Sequence, residues 1–249
     1  MSNSNYQDKT ITLVTGANGG IGLATATALA RDHGHHVIIG SRNADNGTKV
    51  ANSLIDQGLS ASSVQLDLEC ESSLVAAVDY VAKTFGRLDV LVNNAAILID
   101  SSDKAGTTYN LFTRTFNTNV IGTALLTDGL IPLLEKSDHP RVVFVSSRMG
   151  SATYSKDPTK MWYNLECSAY DSSKAALNVL ALNYARRLGP AGAKVNIACP
   201  GIVATNLHEG VKGGAPAEVG AVRIVELATL GKDGPTATWS SSDEAEIPW

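Results

Sequence analysis

Tyr170 and Lys174 stand four positions apart in SAYDSSKAAL (168–177), a stretch rich in alanine and serine. On a helix, residues i and i+4 share a face. An ammonium held beside a phenol favours phenolate and draws it below its reference pKa near 10. Such a phenol could exchange a proton near neutral pH, as acid–base chemistry requires. The same spacing also fits a packed tyrosine beside a surface lysine, so the elements around the pair have to decide.

Short apolar runs occur at ITLVT (11–15), HHVIIG (35–40), VQLDL (64–68), LDVLVNN (88–94), RVVFVSS (141–147) and AKVNIACPG (193–201). Each stops at Gly, Asn, Ser, Asp or Pro, and helical stretches lie between them at about 21–31, 71–84, 108–135 and 168–188. This alternation predicts an α/β fold, a Rossmann-type doubly wound parallel sheet with helices on both faces. The 249 residues, 44% hydrophobic, suit a single domain with a full core. A net charge of −4 with no basic block argues against nucleic acid. No apolar run is long enough to span a membrane, and the polar start MSNSNYQDK lacks the core of a signal peptide. Residues 1–9 are expected to be flexible. Cys70, Cys167 and Cys199 are widely spaced with no C-x-x-C pair, which suggests neither a disulfide framework nor a zinc site. The expectation is a soluble, cytoplasmic protein without a metal.

Ligands of such sheets bind at the carboxyl ends of the strands. The first strand ends in TGANGGIG (15–22), where Gly16, Gly20 and Gly22 allow a phosphate close to the main chain. The turn opens a helix whose free N–H groups attract anions. Its pattern is T-G-x-x-x-G-x-G, not the general G-x-G-x-x-G fingerprint. The second strand ends at Ser41 and Arg42, where an NAD site usually carries an acid for the ribose. An arginine suits a 2′-phosphate that an acid would repel, so NADP(H) is expected over NAD(H). Asp67, ending the third run, could accept from an adenine amino group or begin a turn. Asn93 and Asn94, ending the fourth, could tie strand ends together, line a cofactor, or both.

With these pieces in place the chain resembles the short-chain dehydrogenase/reductase family, in its compact single-domain branch. The likeness runs from about residue 10 to about 205. It rests on TGANGGIG (15–22), DL (67–68), NNAA (93–96), Asn119 in FNTNVIG, SS (146–147), YDSSK (170–174) and PGIVAT (200–205), in the family's order. The resemblance implies that Tyr170 is the catalytic acid or base, Lys174 its partner, Ser147 the binder of the substrate oxygen, and Asn119 the support of a water-filled proton path. It implies a cofactor site lined by Gly16, Asn18, Gly20, Ile21 and Gly22 on the first turn, and by Ser41, Arg42, Asp67 and Leu68 beyond it. Asn94, Ala95, Pro200, Gly201, Val203 and Thr205 complete that lining with Tyr170 and Lys174. The family places the serine role on the second of the pair, Ser147 rather than Ser146. Negative charge growing on a carbonyl oxygen would then be met by the phenol's proton and the serine's hydrogen bond. The activity implied is NADP(H)-dependent reduction of a ketone or aldehyde, or the reverse alcohol oxidation. Reduction of an imine or enone is the alternative within enzymes, and a non-catalytic NADP-sensing regulator the alternative outside them. Both homodimer and homotetramer are open.

Two departures stand out. Many NADP-preferring relatives carry a basic residue just before the second motif glycine, where this chain has Gly19. Ser147 and Tyr170 are 23 positions apart, longer than common in this branch by roughly ten, a length loops absorb. The extra segment, 148–167, holds Tyr154, Met161, Trp162 and Tyr163. It reads either as a wall or lid over an apolar carbonyl substrate or as a surface loop packed by its own aromatics. Residues 205–230 are where this family closes over its substrate. DHGHH (32–36) lies at the far end of the sheet, with Gly34 as a helix C-cap rather than part of a metal site. The tail GPTATWSSSDEAEIPW breaks the strand–helix rhythm, and its last residues could seal a core edge or meet another subunit.

Overall fold

The computed structural model describes residues 6–100, 106–205, 207 and 213–249. Seven parallel strands form one sheet: β1 (Ile11–Thr15), β2 (His36–Ser41), β3 (Ala61–Gln65), β4 (Val90–Asn93), β5 (Arg141–Val145), β6 (Lys194–Ala198) and β7 (Trp239–Ser240). Their spatial order is β3-β2-β1-β4-β5-β6-β7. The helices are α1 (Gly20–His33), α2 (Ala44–Asp56), α3 (Glu71–Phe85), α4 (Thr108–Phe116), α5 (Thr123–Leu134), α6 (Ser168–Leu188) and α7 (Ala217–Ala228).

Period-two alternation divides the strand side chains between two cores. Ile11, Leu13, Ile38, Leu91 and Phe144 pack with Leu74, Leu130 and Leu177 of α3, α5 and α6. Val14, Val37, Ile39, Val92 and Val143 pack with Leu29, Leu54 and Ile224 of α1, α2 and α7. Each fully buried Leu, Ile or Phe contributes about 1.5–3 kcal/mol. Because both faces are covered, the strands read as continuous apolar runs. The order reverses between β1 and β4, and the strand ends there open a crevice at the switch point.

Three elements differ from the sequence expectation. The third strand is ASSVQ (61–65), three residues earlier than the apolar run 64–68. Pairing with β2 sets its limits, from Val37 opposite Ala61 to Ser41 opposite Gln65, so Leu66 and Leu68 enter the core just past its end. The helix expected over 108–135 is α4, a π-helical turn (Asn117–Gly122) and α5. The tail supplies β7, with Trp239 1% and Ile247 0% exposed, so it seals a core edge. Residues 6–9 are tied down: Tyr6 packs on His36 and Phe85, and Arg87 donates to the Tyr6 and Lys9 carbonyls. The rest of the expected flexible start, 1–5, lies outside the described residues, as do 206 and 208–212 of the closing region.

Candidate active site

One stripe of α6 buries Tyr170, Ser173, Lys174, Leu177, Ala181 and Leu188, an i, i+3, i+4, i+7 progression. Its C-terminal part is ordinary core, and its N-terminal end carries the phenol and the ammonium. They do face one another: Lys174 Nζ lies 5.5 Å from the Tyr170 ring centroid and donates to the Val145 carbonyl at 2.9 Å, at the end of β5. Tyr170 is 6% and Lys174 3% exposed.

Burial pushes the Tyr170 phenol above its ordinary value, and the Cys199 thiol adds to this as it ionises; a hydrogen bond with Ser147 opposes them. Burial pulls the Lys174 ammonium down to about 8. The expectation of a lowered phenol therefore does not hold for the polypeptide itself, because desolvation outweighs the nearby cation. The chain holds Tyr170 protonated at neutral pH, the form that can give a proton away.

Ser147 follows β5, and its hydroxyl accepts from Met149 N at 3.2 Å, capping the 3-10 turn Arg148–Gly150. The Ser146 hydroxyl instead points at the Lys174 carbonyl of α6, 3.5 Å away. Asn119 sits in the π-helical turn, a distortion frequent at functional sites. Its Oδ1 accepts from Ile97 N at 2.8 Å, and its Nδ2 donates to Ile97 O and to Ser173 Oγ, both at 3.0 Å. Asn119 thus joins the segment after β4 to the Tyr170 helix.

The glycine turn lies at the same sheet end. Gly16 has φ +65°, and a Cβ there would come within 3.0 Å of the Ala95 backbone. Asn94 clamps the turn by donating to Thr15 O at 2.8 Å. Among the described residues, no side chain caps α1 at Gly19 and the first turn carries no acid, as suits a helix terminus that receives an anion. Thr205 Cγ2 is 3.4 Å from a Cβ built on Gly20. Val203, Ile21 and Pro200 all crowd Gly220 of α7, bringing the β6 end against the glycine turn. Asn18, Gly20 and Gly201 are exposed along this edge.

The short chain dehydrogenase profile matches residues 10–214. A short-chain dehydrogenase/reductase of Stachybotrys chlorohalonatus, ATR10, is 35% identical over 247 positions, covering 93% of this chain and 88% of that protein. Carbonyl reductase [NADPH] 1 of Sus scrofa is 31% identical, covering 96% and 94%. The structure of salutaridine reductase from Papaver somniferum aligns with TM-score 0.78 at 26% identity over 93% of this chain and 99% of that one. The chain belongs to the short-chain dehydrogenase family. NADPH-bound carbonyl reductase from chicken fatty liver shares the fold, with TM-score 0.84 at 22% identity over 97% and 99%.

In this short-chain dehydrogenase, the strand end after β2 separates its two candidate residues. Ser41 is 1% exposed and donates to Asn43 O at 2.7 Å; Arg42 is exposed and makes no ion pair among the described residues. Asp67 Oδ1 accepts from Glu69 N at 3.0 Å, forming a turn. The Leu68 carbonyl presses on Gly122, where a Cβ would sit 2.0 Å away. The uncapped α1 terminus and the free Arg42 together fit a phosphate-bearing dinucleotide.

The segment 148–167 turns its aromatics toward itself and the tail. Tyr154 and Trp162 have centroids 6.1 Å apart, and the Tyr154 hydroxyl donates to Glu244. Met161 and Tyr163 are exposed. A cleft of about 410 Å³ lies here, lined by Arg148, Tyr154, Lys160, Trp162, Asp243 and Glu244 and by none of Asn119, Ser147, Tyr170 or Lys174. His35 and His36 bond to Thr12, Ser60 and Ser62, as structural members of the sheet edge. Among the described residues no three His, Cys, Asp or Glu side chains group as a metal site, and no helix is long and apolar enough to cross a membrane.

Two contributors were missed by sequence reasoning. Gly150 lets the Ser147 turn lie on α6: a Cβ there would be 2.8 Å from Ala175 N and from the Lys174 carbonyl carbon. Arg148 anchors the same turn to the tail through Ser241 at 2.7 Å, Asp243 at 2.5 Å and Glu244 at 3.1 Å. Neither carries a local signal, since each acts on a segment remote in sequence.

Proposed function

We propose that this chain is an NADP(H)-dependent carbonyl reductase. The observation that carries the reading is the buried Tyr170–Lys174 pair, with the Lys174 ammonium 5.5 Å from the phenol ring centroid. When bound, the dinucleotide supplies the hydride that reduces the carbonyl carbon. Ser147 donates a hydrogen bond to the carbonyl oxygen, and Tyr170, protonated at neutral pH, gives it the proton. Lys174, still largely cationic below pH 8, stabilises the phenolate left behind. Asn119 holds Ser173 and the segment after β4, keeping this end of α6 in register. Arg42 would hold a 2′-phosphate of the dinucleotide and Lys174 its nicotinamide ribose. The substrate is a small-molecule carbonyl compound, a ketone or aldehyde. Three free cysteines suit a reducing compartment, and we place the enzyme in the cytoplasm.

The test is NADPH consumption with a panel of ketones, aldehydes and quinones, with the product identified. Formation of an alcohol is expected. NADPH binding without turnover of any carbonyl would favour the cofactor-sensing regulator. In the same preparation Arg42→Ala should weaken NADPH binding at least tenfold and NADH binding less than twofold, by the loss of one charge-assisted contact. Equal losses would remove the phosphate role of Arg42.

A further inference from the structure

α6 begins without a cap of its own. Its N-cap residue, Cys167, makes no side-chain capping bond, although the first N–H groups of a helix need an acceptor. The acceptor comes from a distant segment: Asp100 Oδ1 accepts from Ala169 N at 2.8 Å and lies 3.5 Å from Tyr170 N. With Ser168 first in the helix, these are the second and third positions, the ones an N-cap side chain serves. A carboxylate also suits the positive end of the helix. The third of these positions is the residue assigned here as proton donor.

Asp100 ends a stretch already fastened twice. Asn94 holds it to the glycine turn, and Ile97 bonds through both backbone groups to Asn119, which reaches Ser173. The Asp100 contact is the third fastening and the one nearest the phenol. Asp171 adjoins it; its Oδ1 and the Asp100 Oδ2 are both buried without a partner among the described residues. Burial and the Asp100 charge push the Asp171 carboxyl up to about 7.

We propose that Asp100 is a positioning residue: from the loop after β4 its carboxylate caps the first turn of the Tyr170 helix in place of an N-cap side chain, and it sets where the phenol stands relative to Ser147 and Lys174. The inference rests on the proton-donor reading of Tyr170 given above. Its test compares Asp100→Ala, Asp100→Asn and the double variant Asp100→Ala/Cys167→Ser. The readouts are amide hydrogen exchange at Ala169 and Tyr170, kcat for carbonyl reduction, and the Kd of NADPH. In Asp100→Ala, exchange should quicken about tenfold and kcat fall about tenfold, the scale of one lost cap. The Kd of NADPH should stay within twofold. Asp100→Asn keeps a carbonyl acceptor and should recover most of kcat. Cys167→Ser places a capping hydroxyl at the N-cap itself and should restore both slow exchange and kcat. If Asp100→Ala does not fold, Asp100→Ser, whose shorter side chain withdraws the acceptor, is compared in the same way. Unchanged exchange on loss of the carboxylate would overturn the proposal, as would restored exchange without restored kcat. Tyr170→Phe keeping its turnover would instead remove the proton-donor reading, and the exchange data would still judge the cap.

Discussion

Lys174 is a costly residue to bury. Its ammonium faces one carbonyl and one ring, with burial drawing it from 10.5 to about 8. That difference opposes folding by roughly 3 kcal/mol. The unfolded chain keeps the proton up to pH 10.5 and the folded chain only to about 8. The opposition is therefore complete below pH 8 and fades as the pH rises toward 10.5. Lys174→Met is expected to abolish carbonyl reduction and to raise Tm at pH 7 by several degrees, with the gain shrinking by pH 10. Thermal unfolding across that range checks it; a lower Tm at pH 7 would mean the ammonium is a stabilising member of the core. An exchange of stability for function is what a buried lysine with a strongly perturbed pKa commonly signals. The Tyr170–Lys174 spacing was legible in the sequence because it is local to one helix turn. The direction of the Tyr170 shift was not, because desolvation depends on β5 and β6 closing over the helix.

At the scale of elements, the site is held by close backbone approaches that require glycine. Gly150 lies against α6 at Lys174 and Ala175, within the turn that Ser147 caps. Gly150→Ala must push that turn off the helix. A loss of about 1–3 kcal/mol in stability is expected, with kcat reduced about tenfold or more and NADPH affinity nearly unchanged. Calorimetry and steady-state kinetics measure both; wild-type kcat in Gly150→Ala would show that Ser147 is positioned by other contacts. The same logic explains which elements could be read in advance. β1 is a continuous apolar run, the glycine turn carries its own motif and α6 is a long stretch of helix formers, so each was placed within a residue or two. β3 was misplaced because its own residues are polar and its limits are set by pairing with β2. The π-helical turn has no sequence period of its own, and its Gly122 lies against the Leu68 carbonyl, 54 positions away, a proximity no local pattern encodes.

The whole molecule closes through its tail. β7 adds two residues beside β6, Ile247 N donates to Trp239 O, and Thr153 and Ser151 bond to the carbonyls of Trp249 and Pro248. No two-residue strand has a period to detect, so the sequence left the tail open between a core-edge seal and a subunit contact, and the structure gives the core-edge seal. At the opposite end of the sheet, His35 and His36 are buried, and burial lowers each from 6.5 to about 4. The unfolded chain takes up these protons below pH 6.5 and the folded chain only near 4, so stability is lost as the pH falls through that window. Tm is expected to drop by several degrees between pH 6.5 and 4, and less in His36→Gln; an identical slope in the variant would assign the acid loss elsewhere. The central claim, that the chain's own phenol supplies the proton of carbonyl reduction, is tested most directly by single-turnover hydride transfer from pre-bound NADPH in Tyr170→Phe. A loss of at least about a thousandfold, with the Kd of NADPH within threefold of wild type, is the predicted result; a rate above a tenth of wild type would contradict it.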